Sequence, residues 1–294
     1  MNLTPYLLSL LIALSAGTSH AAGAPHTPYA LKGTEVFAMP KPHLNKQYEV
    51  YVVLPADYDA SEKRYPVIYL TDTDYAFPLV RSIANRINVH GVGVEPHILV
   101  GLSYAKGDTG TESRNRDYTL ARYDIDPSTP GKYGMAKQYL EYLTDTVFPA
   151  VEAKYRINTR RRIFVGHSYG SLLGLQALLS EPKLFSHYIL GSPSLWYDRR
   201  LAFEMEQRYA KQHKEMPAKV RFYIGSYETL NPGKPRYSSE NDMVGDMRRF
   251  VAQLRSHQYR GLDVDSAVLD DEDHATVFPG VITRGLMWAL PAKE

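Results

Sequence analysis

The chain has 294 residues, 44% hydrophobic and 22% charged, with 20 glycines and 19 prolines, which suits a fully cored globular fold and excludes collagenous or low-complexity chains. Its 34 lysines and arginines nearly balance 32 aspartates and glutamates, a net of +2, so charge is not expected to grip nucleic acid or an anionic membrane. With no cysteine, thiol catalysis, disulfides, zinc thiolate sites and iron–sulfur clusters are excluded, and any nucleophile is oxygen, nitrogen or metal-bound water.

Residues 1–21 contain no Lys, Arg, Asp or Glu, and residues 6–16 form an apolar run followed by small residues at Ser19 and Ala21. This pattern predicts a cleaved secretory signal over residues 1–21 and a periplasmic or secreted protein. The run is shorter than the roughly 20 residues a bilayer needs, so no membrane attachment is expected after cleavage. Residues 22–294 are then expected to form a single catalytic domain.

Beyond the signal, segments rich in Val, Ile and Tyr at 48–54, 66–70, 97–100, 163–165, 220–224 and 264–269 read as strands. Helical periodicity appears from Met135 through Tyr139, Leu143, Val147 and Val151, where Pro149 should introduce a kink. Further helical patterns follow Ser171, run from Met243 to Leu254, and cover residues 281–290. Strands separated by helices imply an α/β fold: a mostly parallel central sheet with helices on both faces. The first two strands are joined by a short loop and could pair antiparallel at one edge. The polar span 106–132, holding Arg114 and Arg116, reads as a functional loop or lid.

The chemistry concentrates where the strand at 163–165 meets Gly166-His167-Ser168-Tyr169-Gly170 and a helix begins at once. So tight a strand-to-helix turn needs flanking glycines, since a Cβ there would strike neighbouring backbone, and it thrusts Ser168 out at the carboxyl end of the sheet. The Tyr169 N–H then faces whatever is bonded to the serine oxygen, as half of an oxyanion hole. A second donor should follow an earlier strand, at Thr71-Asp72-Thr73-Asp74.

A serine hydroxyl needs a base, and the base an orienting acid. His274 follows the strand at 264–269 and precedes the last helix, which puts it at the same sheet edge as Ser168; His167 is the rival. Glu228 lies just past the strand at 220–224 and is the preferred acid, with Asp271, Asp273 and Asp198 as alternatives. No H-E-x-x-H or comparable cluster appears, so neither metal nor cofactor is expected. Nothing in the sequence specifies an oligomer.

The stretch FPAVEAKYRINTRRRIFVGHSYGSLLGLQALLSEPKLF, with SPSLWYD after it, YPVIYLTDTD and HILVGLSY before it, and LDDEDHATVFPGVITRGLMWAL near the end, resembles the putative-esterase family of α/β-hydrolases. That family includes siderophore esterases, S-formylglutathione hydrolases, feruloyl and acetylxylan esterases and mycolyltransferases. The resemblance implies an α/β-hydrolase fold with Ser168 as nucleophile, His274 as base, Glu228 as acid and Tyr169 N–H as an oxyanion donor. Where relatives often read Leu-Asp-Gly, this chain has Thr71-Asp72-Thr73, which puts the second donor at Thr73 or Asp74. The siderophore branch also works with an unusual or absent acid. The expected activity is hydrolysis of a small-molecule carboxylic ester through an acyl-serine, with a siderophore trilactone as the leading substrate. Arg114 and Arg116 would receive catecholate oxygens in forked hydrogen bonds, and Trp196 would line an aromatic or sugar pocket. An acyltransferase, a carbohydrate or feruloyl-type esterase on the same residues, or a silent binding protein on the same fold are the alternatives.

Overall fold

Short runs of Val, Ile, Leu and aromatic residues alternate with helical segments, and from Gly33 onward they close around an eight-stranded sheet. The computed structural model describes residues 29–88, 93–120 and 132–292; the signal expected over residues 1–21 lies outside them, as do residues 121–131 of the polar span. The strands are β1 (Thr34–Ala38), β2 (Glu49–Val53), β3 (Tyr65–Leu70), β4 (Ile98–Leu102), β5 (Ile157–His167), β6 (His187–Gly191), β7 (Glu215–Gly225) and β8 (Arg260–Leu269). The helices are α1 (Thr73–Asn88), α2 (Gly110–Tyr118), α3 (Ala136–Tyr142), α4 (Phe148–Lys154), α5 (Tyr169–Ser180), α6 (Tyr197–Gln212), α7 (Met243–Ser256) and α8 (Phe278–Ala289).

The strand order is β1-β2-β4-β3-β5-β6-β7-β8, parallel from β4 to β8 and antiparallel at the β1–β2–β4 edge. The expected α/β architecture is thus present, with one correction. β2 is antiparallel at an edge, but its partners are β1 and β4, because the β3–α1–β4 crossover inserts β4 between it and β3. On one face Phe77 of α1 packs on Gly101 and Gly285 of α8 on Ile189. On the other, α2 to α7 cover a core running through Tyr69, Phe164, Tyr188 and Phe222, each fully buried. Among the described residues no helix is long and apolar enough to cross a membrane.

Three elements lie where the sequence is least expressive. β1 is a largely exposed edge strand without clean alternation, and β6 is only five residues long. α1 hides its stripe of Ala76, Phe77, Val80 and Ala84 around an internal Pro78. The helical periodicity between Met135 and Val151 is real, but α3 and α4 are joined by a π-helical turn, Leu143–Val147, immediately before Pro149. Proline offers no N–H to the preceding turn, and the wider turn absorbs that loss. The 106–132 span is not simply a loop: Thr109 and Glu112 form a capping box that starts α2.

Several histidines sit inside this body as neutral rings. Burial holds the imidazole of His167 well below its ordinary value, and the neighbouring His274 and Arg114 push the same way. Burial likewise pushes His43 and His187 down to about 4. Unfolded, each ring takes up a proton near pH ~6.5, whereas the folded forms of His43 and His187 resist it until about pH 4. Stability is therefore expected to fall as pH drops from 7 toward 4.5, with the buried His167 alone adding a slope of up to about 1.4 kcal/mol per pH unit. Urea unfolding midpoints measured across that range check this; a flat profile would contradict it.

Candidate active site

The strand-to-helix turn forms as its residue types require. β5 ends at His167, α5 starts at Tyr169, and Ser168 alone makes the junction with φ 58 and ψ −118. That is left-handed backbone for a residue with a side chain, and it carries strain of about 1–3 kcal/mol. The flanking glycines answer a steric demand: a Cβ on Gly166 would lie 2.5 Å from the Gly170 backbone, and one on Gly170 would lie 2.3 Å from Thr71 Oγ1. The turn is tied to β6 by Ser168 N–H donating to Gly191 O at 2.9 Å.

His274 and Glu228 come from the loops after β8 and β7. Glu228 is 3% exposed and closes a short 3₁₀ turn, Ser226–Glu228. Its Oε1 accepts from Gly225 N–H at 2.9 Å and Ser192 Oγ at 2.6 Å, while its Oε2 lies 2.6 Å from His274 Nδ1. A carboxylate only accepts, so the contact puts a proton on Nδ1 and selects the tautomer whose Nε2 keeps its lone pair. The rival imidazole, His167, packs against the His274 ring at a centroid distance of 4.7 Å and against Phe278 at 5.4 Å. Of the other acids, Asp273 pairs with Arg236, Asp271 accepts from Tyr227, and Asp198 lies in a left-handed turn at the start of α6.

Ser168 and His274 line one cleft of about 500 Å³ together with Arg114, Tyr169, Ser194 and Trp196. Its far wall is the segment after β7, with Tyr237, Ser238, Glu240 and Asn241. A larger cleft, about 590 Å³, opens by Val53, Asn85 and His97 at the other end of the sheet and holds none of these groups. Thr73 and Asp74 stand in the first turn of α1 rather than in a loop, so their N–H groups belong to a helix N-terminus without intrahelical partners. The residue needing left-handed backbone is Asp72, at φ 56, a conformation that aspartate tolerates better than most. Among the described residues no group of three or more His, Asp and Glu side chains is arranged to hold a metal.

The two expected substrate arginines part company. Arg114 lines the cleft, stacks over the Tyr169 ring at 5.5 Å and is aligned by Asp72, whose carboxylate accepts from Nε at 3.0 Å and Nη2 at 3.4 Å. Arg116 points inward instead, forked onto the buried Asp117 with both bonds at 2.9 Å, and joined to Tyr48 and Asp108. Helical spacing separates residues two apart by about 200°, so both cannot face one cleft from α2. Sequence reasoning placed Asp72 in the oxyanion stretch but not its hold on Arg114, and it missed Tyr104, whose hydroxyl donates to Asp72 Oδ1 at 2.6 Å, as well as Ser192 and Ser194, for which the SPSLW string was the visible signal.

A family model described as Putative esterase matches residues 42–258. Ferri-bacillibactin esterase BesA of Bacillus subtilis is 25% identical over 284 residues, covering 93% of this chain and 95% of that protein. A siderophore triacetylfusarinine C esterase of Aspergillus fumigatus is 25% identical over 281 residues, 88% of this chain and 94% of that one. Among solved structures, the BES protein from Bacillus cereus superposes with a TM-score of 0.77 at 23% identity, covering 92% of this chain and 99% of that chain. An IroE-like serine hydrolase from Shewanella oneidensis gives 0.74 at 23% identity, with 86% and 78% covered. These likenesses establish the fold as that of the α/β-hydrolases.

Ser168→Gly is expected to remove reactivity toward fluorophosphonates and yet raise Tm by a few degrees, because glycine relieves about 1–3 kcal/mol of strain; thermal melts showing no gain would mean the turn is unstrained. Arg116→Ala should instead cost about 3–5 kcal/mol in urea unfolding, since it strands the buried Asp117 carboxylate. A loss under 1 kcal/mol would argue against that network.

Proposed function

Since the chain belongs to the putative-esterase family, we propose that it is a serine carboxylic-ester hydrolase acting through an acyl-serine, with siderophore esters as its substrates. The observation that carries this reading is the buried Glu228 carboxylate 2.6 Å from His274 Nδ1, with His274 and Ser168 on one cleft. Ser168 Oγ attacks the ester carbonyl carbon while His274 Nε2 takes its proton and hands it to the leaving alcohol. The oxyanion is received by the Tyr169 N–H and by N–H groups at the start of α1, Thr73 or Asp74, each contributing about 2.7–4 kcal/mol. Water then releases the acid. Arg114, aligned by Asp72 beside Tyr169 and Trp196, supplies a guanidinium and aromatic surface for an anionic, aromatic substrate arm. The names of the relatives, esterases of ferri-bacillibactin and triacetylfusarinine C, support the siderophore class. The uncharged apolar start of the chain supports action in the periplasm or outside the cell.

The test is turnover of ferric and iron-free enterobactin against short acyl, feruloyl and acetyl-xylan esters. Hydrolysis of the trilactone well above the others, with a fluorophosphonate on Ser168, is the expected result; no labelling and no alcohol release would overturn it. Glu228→Gln should lower kcat by about 10²–10⁴ with KM little changed, because His274 loses its tautomer and orientation.

A further inference from the structure

The candidate nucleophile has a hydroxyl neighbour that the acid, the base and the oxyanion donors leave unexplained. Ser194 Oγ lies 3.3 Å from Ser168 Oγ, lines the same cleft, and belongs to a residue only 2% exposed. The loop after β6 fixes it there. Ser192 adopts φ 40, donates its N–H to Tyr223 O at 2.7 Å and its hydroxyl to Glu228 Oε1, and two residues on the Ser194 carbonyl accepts Tyr197 N–H at 2.9 Å. Both ends of the Ser192-Pro193-Ser194 turn are therefore held. In strand order β6 flanks β5 on the side of β7 and β8, whereas the start of α1 belongs to the β3 side. Ser194 thus stands on the side of the site that brings in His274, across β5 from the start of α1.

We propose that Ser194 is a catalytic residue of deacylation, binding the water that attacks the acyl-enzyme; this rests on the ester-hydrolase reading above. A hydroxyl both donates and accepts. Once Ser168 is acylated it has no proton to give, so in the pair only Ser194 donates, and its lone pairs are free to accept from water. Ser194 Oγ and His274 Nε2 each accept one water hydrogen, which aims the water's lone pair at the acyl carbon. The water oxygen bonds to that carbon as His274 takes one proton. The carbon–Oγ bond to Ser168 then breaks, the proton passes from His274 to Ser168 Oγ, and the carboxylic acid leaves with the water's oxygen and other hydrogen.

The experiment is burst kinetics with p-nitrophenyl acetate on wild type, Ser194→Ala and Ser194→Thr, with Ser168→Ala as the blank. In Ser194→Ala the burst rate and the rate of fluorophosphonate labelling should stay within about twofold of wild type, while steady-state kcat falls about tenfold, the worth of one well-placed hydrogen bond. KM should fall with kcat, and intact mass should show the acetyl-enzyme accumulating. Ser194→Thr, which keeps the hydroxyl, should restore most of the turnover. The proposal is overturned if labelling and burst slow in step with kcat, if kcat does not change, or if no acetyl-enzyme accumulates. A wild type with neither burst nor labelling would instead overturn the hydrolase reading, and this proposal with it.

Discussion

Three strand ends converge on the carboxylate of Glu228. An ionised group 3% exposed is costly unless its lone pairs are filled, and here each bond comes from a different element: Gly225 at the end of β7, Ser192 after β6 and His274 after β8. A parallel sheet sends the carboxyl ends of neighbouring strands to one edge, which is why residues separated by 46 positions can meet as His274 and Glu228 do. The same contact sets the imidazole's tautomer, so the burial of Glu228 and the orientation of His274 are one fact seen from two sides.

Much of the backbone strain lies at that edge. Asp72, Ser168, Ser192 and Asp271 have positive φ in the turns that follow β3, β5, β6 and β8, and Asp198 to Arg200 do at the start of α6, whereas Leu44, Asn45 and Gln258 lie elsewhere. Such conformations persist only where their surroundings over-determine them. The opposing stabilisation is the apolar core beneath, where Tyr69, Phe164, Tyr188 and Phe222 are wholly buried. The first turn of α6 shows the arrangement locally: Arg200, left-handed, is anchored on the fully buried Asp246 of α7.

Electrostatics divides α2 between two tasks. Its inner side is an ionic cluster, Arg116 with Asp117 and Asp108, that docks the helix against Tyr48. Its other side projects Arg114 to Asp72 at the cleft. A helix so polar gains little from apolar burial, and paired charges hold it in place instead.

The α/β architecture and the serine turn were legible in the sequence because they follow from local rules: strand-length apolar runs between helical periodicities, and glycines where a Cβ would strike backbone one turn away. The short or exposed strands β6 and β1 and the proline-bearing α1 were not, since five residues or an interrupted stripe carry too little pattern. The two arginines of α2 looked equivalent as letters, and only the helix's rotation against Tyr48 and Asp72 turned one to the core and one to the cleft. Ser192, Ser194 and the wall from Tyr237 to Asn241 were likewise ordinary polar residues until strand order brought them beside Ser168 and Glu228. Local backbone geometry is written in neighbouring residues and can be read from them; which distant side chains share a cleft depends on how strands are ordered across a sheet, and that is decided only when the chain packs.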